Sequence, residues 1–253
     1  MWKTVGKSVI GTAHQANGAP CQDFCASRRV DGTPERLLLA ISDGAGFALH
    51  AADAARISVE KALDLMAQFS GNLCEISAAT ITEWLGEVKK QLEAAAADKG
   101  ATVSEFSCTL LGAIIEGSNA HFWQVGDGSW IVQTTKGIEV ATWPYSGDFI
   151  NQTVFATSAS AAEHWTHASL QGVSKIFGFT DGLEHLALDY PNKKAHEPLA
   201  MKLFGSLSAF PAEEDVATSV EAFLSSELVS ERTDDDKTML LAWHESPAAH
   251  VDG

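Results

Sequence analysis

The sequence predicts an α+β protein in which two antiparallel sheets pack face to face with helices outside. Three observations predict it. Two stretches with apolar residues at helical spacing fall between β-rich segments. Consecutive apolar runs are joined by short turns, which suits antiparallel pairing better than repeated βαβ units. The 253 residues show no internal repeat or low-complexity linker, and a chain of this length buries its own core. Residues 1–245 read as one domain and 246–253 as a flexible tail.

In chain order, 36–42 (RLLLAIS) reads as a buried strand ended by the turn Asp43-Gly44-Ala45-Gly46. The Ala-rich stretch 51–69 spaces Ile57, Val59, Leu63 and Met66 as a helix does. A second helix covers 81–97, with Thr82 as N-cap and Trp84, Leu85, Val88 and Leu92 on one face. The period then changes. Segments 107–115 and 120–125 form a hairpin across Glu116-Gly117-Ser118-Asn119, and 129–134 extends the sheet. Segment 173–180 is a strand ending at Asp181-Gly182, 212–228 a helix and 238–243 (TMLLAW) the last strand. The stretch 142–167 reads as a long loop. Within it, Trp143, Tyr145, Phe149 and Asn151-Gln152-Thr153 are either a substrate-side flap or packed loop.

Composition excludes several functions. There are 17 basic and 33 acidic residues, a formal charge of −16. Nucleic-acid affinity rests on Lys and Arg neutralising phosphates, so no nucleic-acid partner is expected. Anionic membrane surfaces are disfavoured likewise, and no apolar run is long enough to span a bilayer. Cys21, Cys25, Cys74 and Cys108 form no CxxC pair and read as small buried hydrophobes. The N-terminal residues lack the apolar core of a signal peptide, so a cytoplasmic setting is expected.

The chemistry shows in where aspartates fall. Asp43 follows LLLAIS, Asp127 follows HFWQVG, Asp181 follows KIFGFT and Asp235 precedes TMLLAW. Asp23 lies near a strand start in Pro20-Cys21-Gln22-Asp23. Each Asp-Gly alone is an ordinary turn dipeptide, and Asp234-Asp235-Asp236-Lys237 alone is a solvated acidic turn. As a set they read differently. Strand ends converging on one edge of a sandwich would bring several carboxylates together. Such a cluster requires cations, and oxygen donors without Cys or His select hard divalent ions.

At this point the sequence resembles the PPM, or protein phosphatase 2C, family of metal-dependent serine/threonine phosphatases. Asp43-Gly44-Ala45-Gly46 looks like its DGxxG motif, Thr180-Asp181-Gly182-Leu183 its (S/T)DGL motif, and Asp235-Asp236-Lys237-Thr238 its DNxT/S motif. Gln22-Asp23 resembles the N-terminal acidic segment. Gly126-Asp127-Gly128-Ser129 resembles the GDS segment, and Ser107-Cys108-Thr109 the small-Thr motif before it. Pro20 to Asp23 (PCQD) resembles a divergent bacterial branch. The resemblance implies a four-layer α/β/β/α sandwich with helix pairs outside. It implies two Mn2+ or Mg2+ ions: Asp43 bridging both, the Gly44 carbonyl completing the first site, and Asp181 and Asp235 holding the second. Asp23 would support the site through water, and Asp127 with Asp181 would take a third, weaker ion. The implied reaction is direct attack of an activated water on a phosphoserine or phosphothreonine of a partner protein. A cognate kinase or its substrate is the implied partner, and a monomer the default state.

Departures from the family pattern are informative. His14 stands near the family's phosphate-binding Arg and is either a phosphate contact or a loop histidine. Ala45 stands where some members carry a general-acid His, leaving His50 or His185 as candidates for leaving-group protonation. Gln22 replaces an acidic neighbour. These departures motivate an alternative: a phosphatase-like module that binds a partner or phosphopeptide without turnover.

Overall fold

The computed structural model describes residues 1–32, 34–145, 153–207, 210 and 212–244. The chain opens with β1 (Trp2–Val9), the short α1 (Thr12–Asn17), β2 (Asp23–Val30) and β3 (Arg36–Asp43). Two long helices follow, α2 (Ala51–Gln68) and α3 (Ala78–Asp98). Next come β4 (Leu110–Glu116), β5 (Asn119–Val125), β6 (Ser129–Thr134) and β7 (Gly137–Thr142), then β8 (Trp165–Leu170) and β9 (Lys175–Phe179). After these lie α4 (Glu184–Ala187), the small hairpin β10 (Leu188–Asp189) and β11 (Lys194–Ala195), and α5 (Glu197–Leu207). The chain ends with α6 (Glu213–Leu224), α7 (Glu227–Ser230) and β12 (Lys237–His244).

Ten of the strands form two five-stranded antiparallel sheets, ordered β1-β12-β9-β6-β7 and β2-β3-β4-β5-β8. The period of two along β3 sorts its side chains. Leu37, Leu39 and Ile41 point between the sheets, where they meet Trp130, Ile176 and Leu240. Leu38 and Ala40 point outward and are covered by Val59, Leu63 and Met66 of α2 and by Leu85, Val88 and Leu92 of α3. On the other outer face Ile131, Phe177 and Leu241 are covered by Phe204 of α5 and Val216 and Val220 of α6. The result is the four-layer α/β/β/α sandwich that the sequence predicts. Both sheets are buried on both faces, which is why the central strands read as near-continuous apolar runs rather than alternating ones.

Several expectations are corrected. The second helix starts at Ala78, and its N-cap is Ser77, whose hydroxyl accepts from the Thr80 N–H, so Thr82 lies inside the helix. The expected helix over 212–228 is two: α6 ends at Ser225, and α7 begins after Ser226, whose hydroxyl donates back to the Phe223 carbonyl. Of the four cysteines only Cys108 is fully buried; Cys21 and Cys25 are half-buried and Cys74 is exposed. Of the stretch 142–167, the described residues 143–145 and 153–164 are loop and turn, while β7 takes in Thr142 and β8 begins at Trp165. Phe149, Asn151, Gln152 and the expected tail 246–253 lie outside the described residues. Among the described residues no helix is long and apolar enough to cross a membrane.

Candidate metal centre at the ends of the strands

Strand register delivers the aspartates to one edge of the sandwich. In the β2–β3 pair Asp23 stands opposite Asp43. Beyond Asp43 the chain remains tied to the sheet: its N–H donates to Thr109 Oγ1 at 2.9 Å, and the Thr109 N–H donates to the Asp43 carbonyl at 2.8 Å. In the β6–β9 pair Ser129 faces Phe179, so Asp127, two residues before one, comes beside Asp181, two residues after the other. β12 pairs with the same strand, Met239 opposite Phe179, which brings the 234–236 turn to that edge as well.

Side-chain oxygens of Asp43, Asp127 and Asp181 all lie within 4.8 Å of one another. With Asp235, Gly44 and His14 they line a pocket of about 150 Å³. All of the metal-ligand and phosphate-contact residues expected from the sequence except Asp23 therefore border one small cavity; Asp23 sits behind it, buried, its carboxylate accepting from Thr180 Oγ1 at 2.8 Å. Two Asp-Gly glycines are required by close approach rather than by turn conformation. A Cβ on Gly44 would lie 2.5 Å from the Ala51 carbonyl oxygen, and one on Gly182 would lie 2.0 Å from that of Asp236.

The electrostatics follow from this crowding. Burial, then the charges of Asp23, Asp181 and Asp127, hold the Asp43 carboxyl well above the usual carboxylate range. Burial, then Asp127 and Asp235, raises Asp181 in the same way. Burial raises Asp127, against the hydroxyl of Thr153, which donates to its Oδ2. Burial pushes Asp23 up to about 7, against the Thr180 hydrogen bond. Among the described residues no Lys or Arg lines the pocket. Asp127 Oδ1 is buried without a hydrogen-bond partner among those residues. An oxygen-only donor set with an orphaned carboxylate oxygen and no balancing cation fits a hard divalent ion.

Sequence reasoning missed two residues here. Asp236, 2% exposed, accepts from the backbone N–H groups of Gly11 and Gln22, each at 2.6 Å, and so ties both N-terminal segments to the last strand. Its Oδ2 also lies 3.0 Å from His14 Nδ1, an electrostatic contact too poorly aligned for a hydrogen bond. Glu184 is pushed up to about 7 by burial and then by Asp127. His50 stacks on Phe106 and His185 lies beside Tyr190; neither lines the pocket.

A family model described as Protein phosphatase 2C matches residues 10–225. The chain belongs to the protein phosphatase 2C family. As a member of that metal-dependent family it is a phosphatase, a hydrolase of phosphoric monoesters. Serine/threonine-protein phosphatase 3 of Escherichia coli strain K12 is 33% identical to it over 251 residues, covering 96% of this chain and 99% of that protein. Among solved structures, the serine/threonine phosphatase Stp1 of Staphylococcus aureus shares the fold with a TM-score of 0.65 at 15% identity, covering 97% and 96% of the two chains. PppA, a regulatory component of the type VI secretion system in Pseudomonas aeruginosa, does so with a TM-score of 0.64 at 17% identity, covering 96% and 97%. At these identities the structural likeness speaks to the fold of this phosphatase 2C member.

The raised carboxyls set a pH dependence. Each binds its proton more tightly in the folded state than an ordinary aspartic acid does. Stability from the neutral acids is complete below about pH 4 and is lost as pH rises through the folded values, about 7 for Asp23. For Asp23 this amounts to a few kcal/mol at most, on the order of one per pKa unit. In metal-free protein the thermal midpoint is expected to fall across that window by scanning calorimetry. Asp23→Asn should flatten the fall, and Mn2+ should raise the midpoint at pH 7 more than at pH 5.

Proposed function

We propose that this phosphatase hydrolyses phosphoserine and phosphothreonine on protein substrates with two Mn2+ or Mg2+ ions. The observation that carries the proposal is the meeting of Asp43, Asp127 and Asp181 within 4.8 Å, with Asp235 on the same small pocket and, among the described residues, no Lys or Arg to balance them. In this reading Asp43, the Gly44 carbonyl, Asp181 and Asp235 would hold the two ions, Asp127 with Asp181 would take a third, and Asp23 would support the set from behind. Bound ions supply Lewis acidity and a nucleophile at neutral pH.

The chain's own residues do the rest. Asp43 is fixed by the Thr109 hydroxyl and backbone, so its carboxylate is positioned before any ligand arrives. Thr180 donates to Asp23 and accepts from the Thr238 N–H, which locks the base of the site across both sheets. His14 borders the pocket with its Nδ1 held against Asp236, and in this reading presents a donor to the phosphoryl oxygens. A phosphopeptide-binding module without turnover gains nothing from an uncompensated carboxylate cluster, which would repel the phosphate it captures. The substrate class matches the name of the E. coli relative, a serine/threonine-protein phosphatase, and a kinase or its phosphorylated substrate fits as partner. Four free cysteines suit a reducing, cytoplasmic setting.

Manganese-dependent hydrolysis of p-nitrophenyl phosphate is expected to fall at least ~100-fold in Asp43→Ala and Asp181→Ala. Residual activity above a few per cent of the parent, with the fold intact by circular dichroism, would contradict the assignment. His14→Ala should raise KM for a phosphothreonine peptide about tenfold, the worth of one hydrogen bond to a charged group, with a smaller change in kcat. An unchanged KM would remove His14 from the phosphate.

A further inference from the structure

Among the described residues six large apolar side chains are exposed, and two of them, Phe47 and Leu49, stand together on one short connection. Phe47 is 70% exposed and Leu49 is 74% exposed. Both lie on the short connection between Asp43 at the end of β3 and the start of α2. That connection is not loose. The Ala45 N–H donates to the Ser107 carbonyl at 2.9 Å, the Ala48 N–H to the Ala45 carbonyl at 2.7 Å, and the His50 N–H to the Glu105 carbonyl at 2.9 Å. The backbone is tied down on both sides of the two exposed side chains, so their exposure is fixed by the fold.

Phe47 also has a direction. Its ring meets Phe155 edge-on, with centroids 5.6 Å apart at 76°. Phe155 is half-buried, seated on Ala45, Ala48 and Ala51, and anchored by its N–H to Ser158 Oγ at 3.2 Å. Phe47 and Phe155 line the same pocket as Asp43, Asp127 and Asp181. One wall of an otherwise acidic cavity is therefore an aromatic step that rises out of it into solvent. A phosphorylated residue on a protein that enters along this wall meets the step before it reaches the carboxylates.

We propose that Phe47, backed by Phe155, seats an apolar side chain of the phosphoprotein substrate within one or two residues of the phosphorylated serine or threonine. The inference rests on the phosphatase reading above and adds a sequence preference to it. In an extended peptide alternate side chains share a face about 7 Å apart, so a neighbour of the phosphoresidue falls on the pocket's rim. A rigid aromatic ring offers contact area with little entropy lost on binding. Two side chains are far short of the roughly 800 Å² per partner that a stable dimer requires. An anionic membrane is repelled by a chain of charge −16 with a carboxylate cluster beside the patch. A single apolar side chain of a peptide is the occupant that matches the size and place of the step.

The test compares phosphothreonine peptides that carry Leu or Gly at each of the two positions on either side, with the Mn2+-loaded enzyme. The expected result is a kcat/KM for one Leu-flanked peptide about tenfold above its Gly counterpart, carried mainly by KM. Phe47→Ser should bring that ratio close to one, and Phe47→Leu should keep most of it. Equal turnover of all peptides by the parent enzyme, or a ratio unmoved by Phe47→Ser, overturns this inference and leaves the phosphatase reading standing. Absence of turnover on every peptide overturns both.

Discussion

Mutual repulsion among half-buried carboxylates governs this edge of the molecule. Two unit charges 4.8 Å apart in an effective dielectric of about 20 repel by about 3.5 kcal/mol. Asp43, Asp127 and Asp181 form three such pairs, and domains of this size are stable by only about 5–15 kcal/mol. The cluster has two ways to relieve the load: to hold protons, which is why burial and neighbouring charge raise all three carboxyls, or to bind cations. A site whose carboxyls are held above their ordinary range and whose donors suit divalent ions couples metal binding to charge and to stability at once.

The sandwich exists in a form that can bear this repulsion because Asp43, Asp127 and Asp181 each sit at or just beyond the end of a strand that is largely apolar and buried. Leu37, Leu39 and Ile41 anchor the strand that ends in Asp43. Phe177 and Phe179 anchor the one that leads to Asp181. The apolar layers fix the strands; the register fixes which residues emerge; the emerging residues repel but have no freedom to part. Thr109, Thr180 and Asp236 act as ties between the strand ends, each joining segments distant in sequence. Preorganisation of this kind is what a catalytic site needs, since ligands held by packed strands need no reordering when a substrate binds.

Much of this was legible in the sequence, and the limits are instructive. Apolar runs ending in Asp gave both the central strands and the convergence of their ends, because doubly buried strands carry the strongest one-dimensional signal. β1 was not readable: it is an edge strand, half-polar along WKTVGKSV, and its place is set by pairing with β12 rather than by its own pattern. α5 went unread as well. Three consecutive aspartates before β12 cannot be ranked by composition; the start of that strand at Lys237 decides that Asp235 borders the pocket while Asp236 turns inward to Gly11 and Gln22. Each Asp-Gly pair reads locally as a turn, yet the pressure on Gly44 and Gly182 is the approach of a distant carbonyl, which no local rule reports. Exposure of Phe47 is likewise a tertiary fact: a phenylalanine in an Ala-rich stretch looks like core until the loop is seen to carry it outward.

The most direct measurement of the central claim is anomalous scattering from crystals soaked in Mn2+. The account predicts two peaks at the strand-end edge, both within coordinating distance of the Asp43 carboxylate, one of them also contacted by Asp181 and Asp235. Strong manganese peaks elsewhere on the molecule, with none in reach of Asp43 and Asp181, would contradict it.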